Sequence, residues 1–471
     1  MKSGALYSGL YQWLLMPAWE RAVRRRPTLD HLSFLETTQW MHPRAIEDLQ
    51  LEKLRALLTY AGTNVPYYRE LFAKAAFDPR GVTSRKDLAE LPVLTREIVR
   101  ERYADLVDPR HAATGQNLKK GTSGSTGTPL KFEYSRESEA WRQATRIRGY
   151  RWGGYEPGLP TFYYWAQVNE LPSGAKGLKI KIDRALKREV FWDSMKQDEA
   201  SNLEAVELIK AHRPRAIVAY TQSAAQFARF IVDRNLRDWD DIPVLCGAEA
   251  VLPADRVALA KAFGPEIFET YGSRETMLMA AECSAHDGMH LSEENLLVEV
   301  TKDGRPLPSG TAGDVVVTDL HNYGMPLIRY VNGDVATMRD GTSQTLPGSG
   351  PHDTDEPCSC GRGLRKLARV EGRRADTLTA KDGTVIPGIV FHVLFSDSRK
   401  EVVSQFQAIQ HATGEVVLKV VRGQDWSAEA FEGLSARFRS YLRGLPFSVE
   451  FCDAIPAGAN GKRKTIIVLR A

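Results

Sequence analysis

The sequence predicts an α/β fold: a large N-terminal α/β body with parallel sheets and a barrel-like part, then a small C-terminal α+β domain. Three observations predict it. Between Asn202 and Phe268, short β-branched runs alternate with helical stretches, as in a parallel sheet with covering helices. After Tyr271, short strands are separated by Gly, Pro and Asp turns, which suits an antiparallel or barrel-like portion. From about residue 373 the pattern becomes α+β. The chain has 471 residues, roughly two to four domains' worth at typical domain sizes. The change of texture divides it into 1–372 and 373–471.

Composition narrows the class. Apolar residues make up 43% and charged residues 26%, ordinary for a globular protein and wrong for a disordered or collagen-like chain. Lys plus Arg number 63 against 59 Asp plus Glu, a net +4 that excludes action through a strong basic field and gives no reason to expect nucleic acid. Five cysteines are too few, and odd in number, for a disulfide framework.

The elements follow in order. Leu6–Trp19 is apolar and aromatic and is followed by Arg21, Arg24, Arg25 and Arg26. A signal peptide would place its charges first, and Pro17 interrupts the run. No window reaches the ~20 apolar residues of a membrane span, so a cytoplasmic protein is expected. The segment reads either as a helix packed on the body or as an interfacial anchor with its arginines near headgroups. Residues 44–75 and 84–108 have helical spacing, the second broken by Pro92 and the start signal Thr95-Arg96-Glu97. Helices at 202–210, 224–232 and 255–263 alternate with strands at 216–220, 243–245 and 266–268. Short strands at 296–300, 313–318 and 327–331 come next. The stretch 340–362 has to be loop. Strands near 401–409 and 415–421, a helix at 427–443, a strand at 447–452 and a tail at 465–469 complete the chain.

The most informative stretch is Gly121-Thr122-Ser123-Gly124-Ser125-Thr126-Gly127-Thr128-Pro129-Leu130, followed by Lys131. Glycines and small hydroxyl residues leave backbone amides bare, so successive N–H groups can hold a phosphate. The spacing is not that of a Walker A loop. The alternative is a flexible Ser/Gly linker, but this segment runs straight into Thr-Pro-Leu and a strand at 130–134.

This loop resembles the phosphate-binding motif of the adenylate-forming superfamily, most closely that of the phenylacetate–CoA ligase family and its CapK-like relatives. Further motifs follow in family order: Gly247-Ala248-Glu249-Ala250, Tyr271-Gly272-Ser273-Arg274-Glu275, Arg329-Tyr330-Val331-Asn332-Gly333-Asp334, Gly372-Arg373-Arg374-Ala375-Asp376 and Gly461-Lys462. The resemblance covers the chain from about residue 50 to its end. It implies a carboxylate that attacks the α-phosphate of ATP, expels pyrophosphate and passes the acyl group to coenzyme A.

The resemblance implies a role for each residue. Thr122, Ser123, Gly124, Ser125, Thr126 and Gly127 would hold the pyrophosphate end, and Gly247–Ala250 would lie beside adenine. Glu275 would hold Mg²⁺, a hard cation that takes carboxylate and phosphate oxygens. Asp334 would accept the ribose hydroxyls, with Tyr271 on the adenine pocket and Gly272 and Ser273 beside it. Lys462 would bridge the carboxylate and α-phosphate oxygens. Arg373 resembles the hinge-side arginine. Asp334, Glu275 and Lys462 could instead be a turn residue, a helix-start carboxylate and a solvated basic turn. Two positions depart from the family: Arg274 replaces a Ser/Thr that contacts the α-phosphate, and Ala375 replaces the hinge carboxylate. Ala375 puts the usual swing of the small domain in doubt.

Cys358-Ser359-Cys360 lies on a glycine turn, and Cys283 is followed by His290. These are the soft ligands of a closed structural zinc site, and zinc-bearing family members have a similar arrangement. The expected ligands are Cys283, His290, Cys358 and Cys360, with His286 as substitute for His290; the alternative is reduced structural thiols. Cys246 and Cys452 read as buried small hydrophobes. The acid pocket is expected among Tyr163-Tyr164-Trp165, Tyr220-Thr221-Gln222 and Cys246–Ala248, which suggests an aryl or flat acid, although aromatic clusters are as often plain core.

The expected enzyme is therefore an AMP-forming acid–CoA ligase using ATP and Mg²⁺, with structural Zn²⁺. An amine or sugar acceptor in surface-polysaccharide synthesis, or a non-catalytic nucleotide-binding protein on the same fold, is the rival. A hydrolase lacks its G-x-S-x-G elbow. Peripheral membrane contact through the N-terminus and a homodimer are left open.

Overall fold

Prolines decide where the first long helices begin and end. Pro43–Asn64 starts with proline in its first turn, where the missing N–H costs nothing, and His42 caps it through its ring. Pro66 cannot extend that helix, so the run expected at 44–75 resolves into two helices, Pro43–Asn64 and Pro66–Lys74. The run expected at 84–108 likewise divides into a 3-10 turn at Arg85–Glu90 and short helices at Arg96–Glu101 and Tyr103–Leu106. Thr95 caps the first of these helices through a bond from Ile98 N.

The computed structural model describes residues 2–115, 117–121, 130–165, 174–194, 196, 198–339, 358–373, 377–381, 385–387, 391, 395, 402–456 and 465–469. Its strands are β1 (Leu118–Gly121), β2 (Lys131–Tyr134), β3 (Thr161–Trp165), β4 (Glu189–Asp193), β5 (Ala216–Tyr220), β6 (Val244–Gly247) and β7 (Ile267–Ser273). These are followed by β8 (Met277–Glu282), β9 (Met289–Leu291), β10 (Leu296–Lys302), β11 (Arg305–Pro306), β12 (Ala312–Asp319), β13 (Tyr330–Met338) and β14 (Lys366–Arg373).

One twelve-stranded sheet runs in the order β11-β10-β12-β13-β14-β9-β8-β7-β6-β5-β3-β4. The strands from β4 to β7 are parallel, and from β7 to β11 every pairing is antiparallel. The antiparallel part expected after Tyr271 therefore continues the parallel half through β7, in an order that ends at β11 and β4. Helices at Glu199–His212, Thr221–Asp233 and Pro253–Phe263 cover one face of the parallel half. Phe162, Tyr164, Ile217, Ala219, Val244 and Cys246 point into that core, as period-2 alternation requires.

Beyond β14 lie a hairpin of β15 (Thr377–Thr379) and β16 (Val385–Pro387) and the strands β17 (Val403–Gln410), β18 (Val416–Arg422), β19 (Phe447–Phe451) and β20 (Ile466–Val468). The last four form a separate sheet in the order β19-β18-β17-β20, against which the helix Ala428–Tyr441 packs Phe431, Leu434 and Phe438. Its core gathers residues from Leu378 to Ile466 and shares none with the main body. Among the described residues, no helix is long and apolar enough to cross a membrane.

Candidate active site and metal centre

The carboxyl ends of β5, β6 and β7 open toward one side of the sheet, the usual place for a ligand on a parallel sheet. Thr221, the first residue of its helix, donates to the carbonyls of Gly247 (3.1 Å) and Glu249 (2.8 Å), and Gln222 N donates to the Glu249 carboxylate. These bonds hold Gly247–Ala250 as a bent ribbon in which Ala248 takes φ +69°. A Cβ at Gly247 would lie 2.9 Å from Thr270 Oγ1 and 3.3 Å from the Trp165 ring, so only glycine fits. Trp165 packs on Tyr220 with ring centroids 4.5 Å apart at this mouth. The two other aromatics expected to line an acid pocket do not stand there. Tyr164 stacks on Phe227 in the helix-covered core, and Tyr163 stacks on Phe191 on the opposite face. Gln222 turns to Asp255.

A second group of residues converges across the antiparallel strands. Tyr271 Oη donates to Asp334 Oδ2 at 2.8 Å, and Asn332 Nδ2 donates to both, at 2.7 Å and 2.9 Å. Arg373 Nε sits 2.9 Å from Asp334 Oδ1, and its Nη1 reaches the Asn332 carbonyl. Register explains the pairing, because Asp334 of β13 lies directly opposite Arg373 of β14. Burial pushes the Asp334 carboxyl above the usual carboxylate range, and Arg373 and Tyr271 hold back part of that rise.

The turn between β7 and β8 carries Ser273, Arg274 and Glu275. A Cβ at Gly272 would lie 2.2 Å from the Met277 carbonyl, so glycine permits the close crossing. Glu275 is 3% exposed, and its Oε1 accepts from Arg96 (3.2 Å) and from Tyr330 Oη (3.1 Å). Arg142, fully buried on the helix Arg136–Arg151, donates to the Glu275 carbonyl, pairs with Asp319 at 2.9 Å and lies over the Tyr134 ring. Arg274 is exposed and reaches back to the Gly121 carbonyl at 3.0 Å. Gly121 pairs with Lys131 across the β1–β2 ladder, so Arg274 stands at the root of the segment between them.

Thr122, Ser123, Gly124, Ser125, Thr126 and Gly127 lie outside the described residues, as do Arg374, Ala375, Asp376, Gly461 and Lys462. Arg96, Arg142 and Asn332 were not among the expected site residues. A basic residue in a helix's first turn, where the macrodipole disfavours it, was the available signal for Arg96.

The sulfurs of Cys283, Cys358 and Cys360 and a ring nitrogen of His290 lie within 4.8 Å of one another. Cys283 follows β8, His290 is in β9, and the other two precede β14. His290 Nδ1 donates to the Leu364 carbonyl at 2.9 Å, which leaves Nε2 facing Cys360 Sγ at 3.3 Å. A fixed tautomer with its free nitrogen turned to sulfurs is what a metal-binding imidazole needs. A hydrogen bond with Cys283 draws the Cys360 thiol down, and one with His290 draws Cys358 down to about 7. Three sulfurs and one imidazole fit a four-coordinate zinc ion. The substitute ligand His286 is placed elsewhere, with its ring on Phe268 and Nδ1 at Glu282. Cys246 is buried as expected, whereas Cys452, just past the edge strand β19, is only half-buried.

No family model matches the chain. It is 29% identical to the phenylacetate–coenzyme A ligase of Thermus thermophilus, over 79% of this chain and 80% of that one. It is 26% identical to the Pseudomonas putida enzyme of that name, over 73% and 74% of the two chains. Its fold matches 2-hydroxyisobutyryl-CoA ligase in complex with 2-HIB-AMP at a TM-score of 0.66, 20% identity and 90% coverage of both chains. The chain is thus similar in sequence to phenylacetate–coenzyme A ligases and shares its fold with 2-hydroxyisobutyryl-CoA ligase.

Proposed function

We propose that this chain is an ATP-dependent acid ligase that forms an acyl-adenylate and passes the acyl group to coenzyme A. A carboxylate oxygen attacks the α-phosphorus, the bond to the β-phosphate oxygen breaks, and pyrophosphate leaves. The coenzyme A thiolate then attacks the acyl carbon and AMP departs. The observation that carries the reading is the Tyr271–Asn332–Asp334–Arg373 network standing beside Glu275, two acidic groups held ready at adjoining positions.

In this reading Asp334 accepts the ribose hydroxyls, and Tyr271 and Asn332 keep its carboxylate turned toward them. Arg96 and Tyr330 both bond Oε1 of Glu275, and its other oxygen is the one offered to Mg²⁺, which when bound offsets charge on the phosphates. Arg274 occupies the position from which a guanidinium can meet the α-phosphate. The segment 122–127 takes the pyrophosphate end, and Lys462, on a small mobile domain of residues 373–471, bridges the reacting oxygens. Zinc on Cys283, His290, Cys358 and Cys360 is structural, tying the β8–β9 turn to the start of β14. Trp165 and Tyr220 at the mouth favour a flat or aryl acid.

Pyrophosphate release over a panel of aryl, fatty and amino acids, with and without coenzyme A, tests the reading. Acid-dependent release followed by thioester formation is expected. Release with no thioester would hand the acceptor role to an amine or sugar. No release with any acid would refute the ligase.

A further inference from the structure

The N-terminal helical segment buries one apolar side and turns a second one away from the protein. Residues 2–24 run through α- and π-helical turns and reach the body both through Tyr11 and Met16, buried with Leu35, Trp141 and Ile147, and through polar groups. Tyr7 Oη donates to the Leu186 carbonyl at 2.7 Å, Ser8 Oγ to the Pro157 carbonyl at 3.1 Å, and Gln12 Nε2 to Glu156 at 3.2 Å. Glu20 is buried against Arg26 and Thr28, and Tyr11 and Met16 go inward with it. The outward face carries Leu6, Leu10, Trp13 and Leu14, exposed at 75%, 49%, 87% and 59%. A water-facing helix has the opposite arrangement.

The helix Gly174–Lys187 lies beside this segment, joined by an Arg24–Asp183 ion pair at 2.9 Å and a Lys179 bond to the Val23 carbonyl. It repeats the inversion by exposing Leu178 (59%) and Ile182 (42%). The charges sort with the same bias. The two acidic residues of these elements, Glu20 and Asp183, are turned in and paired, Asp183 with both Arg24 and Lys187. Among the described side chains, the exposed charges of both elements are Arg21, Arg25 and Lys181, all basic; Arg21 lies 3.6 Å from the exposed Asp30 of the next helix, which leaves Arg25 and Lys181 as the exposed cations these contacts do not neutralise.

We propose that this two-helix face docks on the headgroup–acyl boundary of an anionic lipid bilayer. A row of exposed aliphatic side chains with a central tryptophan, rimmed by cations, matches that boundary: the indole sits at headgroup depth and the basic side chains reach the lipid phosphates. A second copy of the chain fits less well, because it would bring the same cations against this cationic rim.

Sedimentation of the full chain with vesicles tests the proposal, using phosphatidylcholine alone or with one third phosphatidylglycerol, at low and high salt. Binding to the anionic vesicles that weakens with salt is expected. Trp13→Ser with Leu14→Ser should lower partitioning by about tenfold or more, with acid-dependent pyrophosphate release in solution unchanged. Arg21→Gln with Lys181→Gln should weaken binding to anionic vesicles only. Three results overturn the proposal: no vesicle binding, equal binding by the Trp13/Leu14 variant, or a dimer in velocity sedimentation that this variant dissociates.

Discussion

Tyr271→Phe tests whether one hydroxyl contributes to the nucleotide binding proposed for this site. The ring keeps its packing, but two bonds vanish: the 2.8 Å donation to Asp334 and the 2.7 Å acceptance from Asn332. The second loss is small, because Asn332 still donates to Asp334 at 2.9 Å. The first removes a bond to an ionised group in a buried place, where about 2 kcal/mol is typical. If Tyr271 fixes the carboxylate that receives ribose, that energy appears in the transition state as an approximately 30-fold fall in kcat/KM for ATP. The sign of the pH effect follows from the same contacts. Burial raises the Asp334 carboxyl and the Tyr271 hydroxyl opposes that rise, so its removal raises the carboxyl further. Activity that needs ionised Asp334 is lost as pH falls through its titration, so the acid limb should move to higher pH in the variant. ATP–pyrophosphate exchange at a series of pH values reads both effects. An unchanged acid limb with unchanged kcat/KM for ATP would refute the ribose assignment, whatever happens to stability.

Four further outcomes are expected. Glu275→Gln retains an acceptor for Arg96 and Tyr330 but loses its charge, so pyrophosphate release should fall about 100-fold and need more Mg²⁺; release at the wild-type rate and magnesium requirement would remove Glu275 from the metal. Metal analysis of the purified protein should find close to one zinc per chain, and Cys360→Ser should lose it and lower the thermal midpoint; a zinc-free protein of normal stability would reject the site. Gly272→Ala places a Cβ 2.2 Å from the Met277 carbonyl and should cost about 3 kcal/mol in urea unfolding. Lys462→Ala should slow adenylation by orders of magnitude and leave ATP binding largely intact, which rapid-quench and equilibrium binding measure separately.

The parallel half of the fold was legible because its signals are local. Ala216–Tyr220 is a short buried run between two helical periods, and β5 covers those residues. That Asp334, Tyr271 and Glu275 come together could be expected because each sits in a short motif. Partners far along the chain were not. Arg142 meets Asp319 across 177 residues, and an arginine in a helix reads as solvent-facing until the topology buries it. Strand alternation announced that Tyr163 and Tyr164 face opposite ways, but nothing local said that both faces are covered. Choosing between His286 and His290 likewise needed the strand pairing that brings β9 against β14.

The net charge of +4 conceals how the interior handles charge. Buried carboxylates of the main body are matched by arginines, including Asp319 by Arg142, Glu294 by Arg148, Glu299 by Arg329, Glu275 by Arg96 and Asp334 by Arg373. In the first three pairs both partners are buried, and such pairs fix geometry more than they add stability. They cannot release a partner without stranding a charge. The last two differ: the Arg373 side chain is 45% exposed and that of Arg96 is 19% exposed. An arginine with one side in water can leave its carboxylate and be solvated at little cost, and Asp334 has such a partner, as do Asp108, Asp255 and Glu371, whose arginines are also exposed. In the proposed reading the ribose hydroxyls would share Asp334 with its exposed arginine, and a magnesium ion would take the Glu275 oxygen that Arg96 and Tyr330 leave free. Arg373, which ends β14 just before residues 374–376, would carry the news of that exchange into the small domain.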